Sequence, residues 1–87
     1  MTAVAMFEQR LAASPATPHQ RLYIRCMLQQ LEFDLTHIGA DAQGVWRDAG
    51  LPEPPSGMRL DAVLAAIRRV DANRLIGALK MRVEPRP

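Results

Sequence analysis

The sequence has few of the residues with which small proteins reinforce their folds. Cys26 is the only cysteine among 87 residues, so no disulfide can form within the chain. This cysteine and the two histidines, His19 and His37, lack the clustered spacing of a structural zinc site. A domain of this length buries only about 60–65% of its unfolded surface. We therefore expect marginal stability, and self-association is the open route to further stabilisation.

Long apolar runs are also missing. No stretch approaches the roughly 18 apolar residues of a membrane span. The opening residues, MTAVAMFEQRLAAS, are not expected to be a secretory leader, because they contain no basic n-region and Glu8 and Arg10 interrupt the apolar residues. These features predict a protein that does not associate with membranes and that works in the reducing setting of the cytoplasm.

We find no motif for catalysis or for cofactor binding. Gly39 and Gly44 are isolated and do not form a phosphate-binding loop. Cys26 lies on an apolar side of a predicted helix, where an inert buried thiol is the usual role. Glu32 and Asp34 are two positions apart, so on a helix they do not face one another as an acid–base pair. We expect a protein that is not an enzyme and that needs neither cofactor nor metal.

Aromatic residues make up only 5% of the chain, and its apolar content is mostly Leu, Ala, Ile, Val and Met. This composition favours helices over strands. The sequence predicts one small all-α domain over residues 1–87. Its predicted architecture is a compact bundle of four to five short helices around a central helix over residues 18–38.

The central helix has the clearest signals. Thr17 is a natural N-cap, Pro18 suits the first helical position, and Gln20 completes a capping box. Gly39 is the predicted stop. Apolar residues repeat between these ends at spacings of four and three, which predicts a core face. The repeating residues are Ile24, Leu28, Leu31, Leu35 and Ile38.

A second, weaker apolar stripe is predicted on the opposite side of this helix. It consists of Leu22, Cys26 and Phe33. One interpretation is that a first helix over residues 3–13 folds back and covers the stripe. The other interpretation is a contact with a second subunit or a protein partner, and we assign these three residues to a candidate oligomer face.

The stretch GVWRDAGLPEPPSG contains the only tryptophan. We predict a short helix over residues 42–49, capped by Asp41 and ended by Gly50 and Leu51 in a Schellman motif. Trp46 is then expected to be largely buried. The following PEPPSG favours a stiff, extended crossing to the next helix, and the sequence leaves open whether this loop binds a partner.

The C-terminal third is predicted to begin with a helix near residues 58–70. Continuing it straight would bury Asp71 and Arg74, so we predict a bend or restart around residues 71–73. Residues 75–84 fit either a final helix or an edge strand, and we favour the helix. The core residues expected on this helix are Leu60, Val63, Leu64, Ile67 and Val70.

Charge is distributed unevenly, with a net −2 over residues 1–58 and +4 over residues 59–82. A helix-turn-helix fits poorly, because LPEPPSG is longer than the motif's turn of about three or four residues. Our leading interpretation is a small regulator or adaptor that acts by protein–protein contact, as a homodimer. The alternative is DNA or RNA binding through the basic side chains. These are Arg68, Arg69, Arg74, Lys80 and Arg82.

Overall fold

A computed structural model of the chain describes residues 14–84. This part of the chain contains four helices and no strands beyond isolated bridges, which confirms the predicted all-α class. The predicted helix over residues 3–13 lies outside the described residues. The helices are α1 (Pro18–Gln30), α2 (Ala40–Asp48), α3 (Leu60–Ala66) and α4 (Arg69–Val83).

The start of α1 follows the predicted capping box. The backbone amide of Gln20 donates to the hydroxyl of Thr17 at 3.1 Å, and the backbone amide of Thr17 donates to the side-chain oxygen of Gln20 at 2.9 Å. Pro18 occupies the first turn, where its missing amide hydrogen costs nothing. A purely local sequence signal was therefore sufficient to locate this helix end.

The end of α1 differs from the prediction, because the helix stops at Gln30 and not at residue 38. The backbone amide of Phe33 donates to the carbonyl of Leu28, and that of Glu32 donates to Gln29, both at 3.0 Å. These two bonds form a Schellman motif, with Glu32 in the left-handed position at φ 64°. The prediction of one helix over residues 18–38 is thus wrong at its C-terminal end.

Residues after α1 are held by the loop that precedes α3. The amide of Ile38 donates to the carbonyl of Met58 at 2.8 Å, and the amide of Gly57 donates back to Ile38 at 2.7 Å. The amide of Leu60 also donates to the carbonyl of Thr36 at 2.9 Å. Ile38 is buried, as the apolar spacing predicted, but it reaches the core from an irregular segment.

Helix α2 begins with Gly39 as its N-cap, so the predicted cap at Asp41 is wrong. Asp41 instead lies in the first turn, where its carboxylate accepts from the amide of Ala42 at 2.9 Å. The other end is confirmed. The amide of Gly50 donates to Arg47 at 3.0 Å and that of Leu51 donates to Trp46 at 2.9 Å, completing the predicted Schellman motif.

Helices α3 and α4 are separated by an extended break at residues 67–68, earlier than the predicted restart at 71–73. Backbone hydrogen bonds join this break to the residues just before α1. The amide of Ala16 donates to Ile67 at 3.0 Å, and the amide of Arg69 donates to the carbonyl of Ser14 at 2.8 Å. Val70, predicted to be in the core, is 43% exposed as a result. Helix α4 runs to Val83, which excludes the edge strand.

Helix α4 contacts both α1 and α2. The side-chain amide of Gln20, near the start of α1, donates to the side-chain oxygen of Asn73 at 2.8 Å, and α1 and α4 run side by side in the same direction.

No helix within residues 14–84 is both long enough and apolar enough to cross a membrane. The largest fully buried side chains are Ile24, Leu28, Ile38, Val45, Leu60, Leu64, Leu75 and Leu79.

Candidate functional site

Exposed apolar side chains are concentrated along α1 and α4. On α1, Leu22 is 60% exposed and Tyr23 is 40% exposed. Cys26 is exposed as well, and it lies four positions from Leu22 and three from Tyr23, so its side chain neighbours each of them on the helix surface. On α4, Met81 is 66% exposed. We call Leu22, Tyr23, Cys26 and Met81 the α1–α4 face.

A groove of about 810 Å³ runs between the two helices on this face. Gly77 forms part of its lining, and an added Cβ at Gly77 would meet no atom within 4 Å. The ammonium group of Lys80 lies 5.7 Å from the centre of the Tyr23 ring, within range of a cation–π contact. Glu84 lines the same groove near its end. The groove is thus lined by both apolar and polar groups, and α4 contributes one charge of each sign to it.

The predicted oligomer face of Leu22, Cys26 and Phe33 is only partly brought together. Leu22 and Cys26 are exposed neighbours on α1. Phe33 lies beyond the end of the helix, is half-buried and packs against the core, so it does not extend this surface. Tyr23 could have been added to the predicted face from the sequence, because it is three positions from Cys26. Met81 could not have been predicted there, because only the packing of α4 on α1 brings it to this face.

The basic side chains of the C-terminal third do not form one surface. The Arg68 guanidinium donates to the carboxylate of Asp71 at 2.9 Å, and Arg82 donates to Asp48 at 2.7 Å. Both cations are therefore already paired within the protein. Their partners lie in the first turn of α4 and near the end of α2, respectively.

The remaining predicted nucleic-acid residues are Arg69, Arg74 and Lys80, all exposed on α4. Arg69 and Lys80 are eleven positions apart and diverge by only about 20° around the helix axis. Arg74 diverges from Arg69 by about 140°. Two cations therefore share one side of α4, and the third does not.

A second concave surface lies where α2, the proline-rich loop, α3 and the start of α4 meet. It encloses about 290 Å³, and we call it the Trp46 groove. All its lining residues are apolar except Glu53 and Asp71. The lining residues are Trp46, Leu51, Pro52, Glu53, Pro54, Pro55, Met58, Val63, Ala66, Ile67 and Asp71.

Hydrogen bonds at several points hold the loop of this groove. The Leu51 amide bonds the carbonyl of Trp46, and the side-chain amide of Gln43 donates to the carbonyl of Pro54 at 2.8 Å. The guanidinium of Arg47 donates to the carboxylate of Glu53, and this hydrogen bond raises the pKa of Arg47 further above its ordinary value. The PEPPSG loop thus forms a fixed wall, with Trp46 only 3% exposed at its base.

No protein-family model, curated protein or solved structure matches the chain. Within residues 14–84, no group of three or more His, Cys, Asp or Glu side chains is placed to hold a metal ion.

Proposed function

We propose that this protein is a small, non-enzymatic regulator or adaptor that acts by protein–protein contact and forms a homodimer through the α1–α4 face. The observation that carries this proposal is the exposure of Cys26 and Met81 along one groove between two packed helices, with Leu22 exposed one helical turn before Cys26. Exposed apolar side chains that lie near one another support an interaction site.

A second copy of the chain is a suitable occupant of this face. In a two-fold symmetric contact the same patch faces itself, so the patch must not place like charges together. The α1–α4 face meets this condition, because Lys80 and Glu84 carry opposite charges on the same helix. A two-fold axis near Cys26 brings the two thiols close and allows Lys80 of one copy to approach Glu84 of the other.

The proposal is tested by sedimentation equilibrium of the full chain across a range of concentrations. We expect a dimer for the wild type and a monomer for Met81→Glu, because an unpaired charge at an interface centre is costly. Ala62→Glu is the matched control, since Ala62 is also exposed on a helix but lies on neither surface. A wild type that stays monomeric at high concentration, or equal dissociation of the Ala62→Glu control, contradicts the proposal.

A second candidate function is nucleic-acid binding, which the shared side of Arg69 and Lys80 favours. Such binding should weaken steeply with salt, because each phosphate contact releases counterions. The double variant Arg69→Glu and Lys80→Glu should then abolish a gel shift with duplex DNA, whereas Arg82→Glu should have less effect because Arg82 is paired with Asp48. Absence of any shift by the wild type at low salt removes this candidate.

A further inference from the structure

Helix α4 has exposed apolar side chains on the side opposite its buried face. Val70 is 43% exposed near the start of the helix, and Met81 is 66% exposed near its end. Arg74 and Gly77 lie between them, and the four residues fall within about 60° of one another around the helix axis. We call Val70, Arg74, Gly77 and Met81 the outer stripe of α4.

The chain enters the described part of the structure beside the beginning of this stripe. The backbone amide of Arg69 donates to the carbonyl of Ser14 at 2.8 Å, which holds Ser14 next to the first turn of α4, one position before Val70. Thirteen residues precede Ser14. A segment that leaves Ser14 at this end of α4 can follow the stripe only towards the C-terminal end of the helix, and it then runs antiparallel to α4.

The length and the apolar pattern of the preceding segment match the outer stripe. The helix predicted over residues 3–13 would be about 15 Å long, and the stripe extends over about 16 Å of α4. Three apolar residues share one face of the predicted helix. They are Val4, Phe7 and Leu11. An antiparallel helix places them in turn along the stripe, with the last of them nearest to Val70 and the first nearest to Met81.

The charges agree with the same alignment. Arg74 is exposed and forms no ion pair within residues 14–84. Glu8 is the only acidic residue of the thirteen that precede Ser14, and it flanks the apolar face of the predicted helix. When Ala13 is level with Val70, Glu8 is level with residue 75 and its carboxylate is within reach of Arg74. The stripe therefore offers both an apolar surface and an unpaired cation to this segment.

We propose that residues 3–13 bind as an amphipathic helix on the outer stripe of α4 in their own chain and thereby restrain self-association. The bound segment covers Met81, which also belongs to the α1–α4 face. The segment and a second copy of the chain therefore compete for this part of the surface. The restraint on self-association rests on the proposed homodimer, whereas the docking of the segment does not.

A single reporter thiol on the full chain tests the docking. Cys26→Ser removes the only native cysteine, and Val70→Cys places a thiol on the outer stripe but outside the α1–α4 face. Adding Phe7→Glu to this reporter chain should raise the rate of reaction with the thiol reagent DTNB by roughly tenfold, because the segment no longer shields the stripe. Gln9→Glu is the matched control, since Gln9 lies on the opposite side of the predicted helix, and it should leave the rate unchanged.

Exchange of the two charges tests the alignment. Arg74→Glu should raise the reaction rate of the reporter by roughly two- to fivefold, and Glu8→Arg added to it should restore the original rate. Circular dichroism of each variant confirms that the fold is intact. Equal rates for Phe7→Glu and Gln9→Glu overturn the docking, and so does a failure of Glu8→Arg to reverse the effect of Arg74→Glu. A reporter rate that falls as the protein concentration rises assigns the shielding to a second copy and overturns the proposal as well.

Sedimentation equilibrium measures the restraint in chains that keep Cys26 and Val70. Phe7→Glu should lower the Kd of the dimer by roughly tenfold relative to Gln9→Glu, because the competing segment is released. Equal Kd values in chains that dimerise overturn the competition. If the wild type and Phe7→Glu both remain monomeric, the homodimer and its restraint are contradicted together, and the reporter thiol separately decides the docking.

Discussion

The backbone amide of Leu51 donates a hydrogen bond to the carbonyl oxygen of Trp46 at 2.9 Å, and this bond both ends α2 and fixes one wall of the Trp46 groove. The bond requires Gly50 to adopt the left-handed conformation, which it does at φ 74°. Local chain reversal and the shape of the groove are therefore coupled at one residue.

Replacing Gly50 by Ala tests this coupling. A Cβ at Gly50 meets no neighbouring atom, so the expected cost is the backbone strain of an L-residue in the left-handed region, about 1–2 kcal/mol. Urea unfolding measures the change in free energy. Gly77→Ala is the control, because Gly77 lies inside α4 with open space around it and the same substitution should stabilise by about 0.5–1 kcal/mol.

Glu32 allows the reverse substitution, from a side-chain residue to glycine in the left-handed region. It occupies the left-handed position after α1 at φ 64°, where glycine is the usual residue. Glu32→Gly should relieve the strain and raise the free energy of unfolding by up to about 1 kcal/mol. Glu32→Ala retains the strain, so a gain of the same size in that variant would show that the lost charge is responsible.

Trp46→Ala should destabilise the protein by about 3–5 kcal/mol, because it removes a large buried aromatic side chain from the core. This loss is large for a domain of marginal stability, so thermal unfolding followed by circular dichroism should show a markedly lower Tm. The wild-type fluorescence should be shifted to the blue of free indole in water. Emission that matches free indole would contradict the burial of Trp46.

The segment after α1 contains a carboxylate with an altered pKa. Hydrogen bonds from the hydroxyl of Thr36 at 2.5 Å and from its backbone amide at 2.7 Å lower the pKa of Asp34 below its ordinary value. The resulting stabilisation is present above the pKa of Asp34 in the unfolded chain and is lost as the pH falls through the lower pKa of the folded state. Thr36→Val should raise the pKa of Asp34 towards the ordinary value, whereas Thr36→Ser should preserve it. Titration of the Asp34 carboxyl carbon by NMR distinguishes these outcomes, and an unchanged titration in Thr36→Val would assign the shift to another group.

The sequence was sufficient to predict those local motifs whose residues lie within a few positions of one another. Thr17 and Gln20 form the capping box at the start of α1, and Gly50 and Leu51 end α2, because each motif is made from adjacent backbone and side-chain groups. The burial of Trp46 was also predictable, since a large apolar side chain on a short capped helix has to face the core.

The tertiary structure alone decided the features that join distant parts of the chain. The apolar spacing through Ile38 is that of a continuing helix, yet α1 ends at Gln30, because Glu32 adopts a conformation usually reserved for glycine and Ile38 bonds to Met58. The helical spacing correctly placed Leu22 and Cys26 on one side of α1, but the prediction of a buried Cys26 thiol was wrong, because Cys26 is exposed. The position of Met81 beside them depends on the packing of two helices far apart in sequence, and no local pattern encodes that contact.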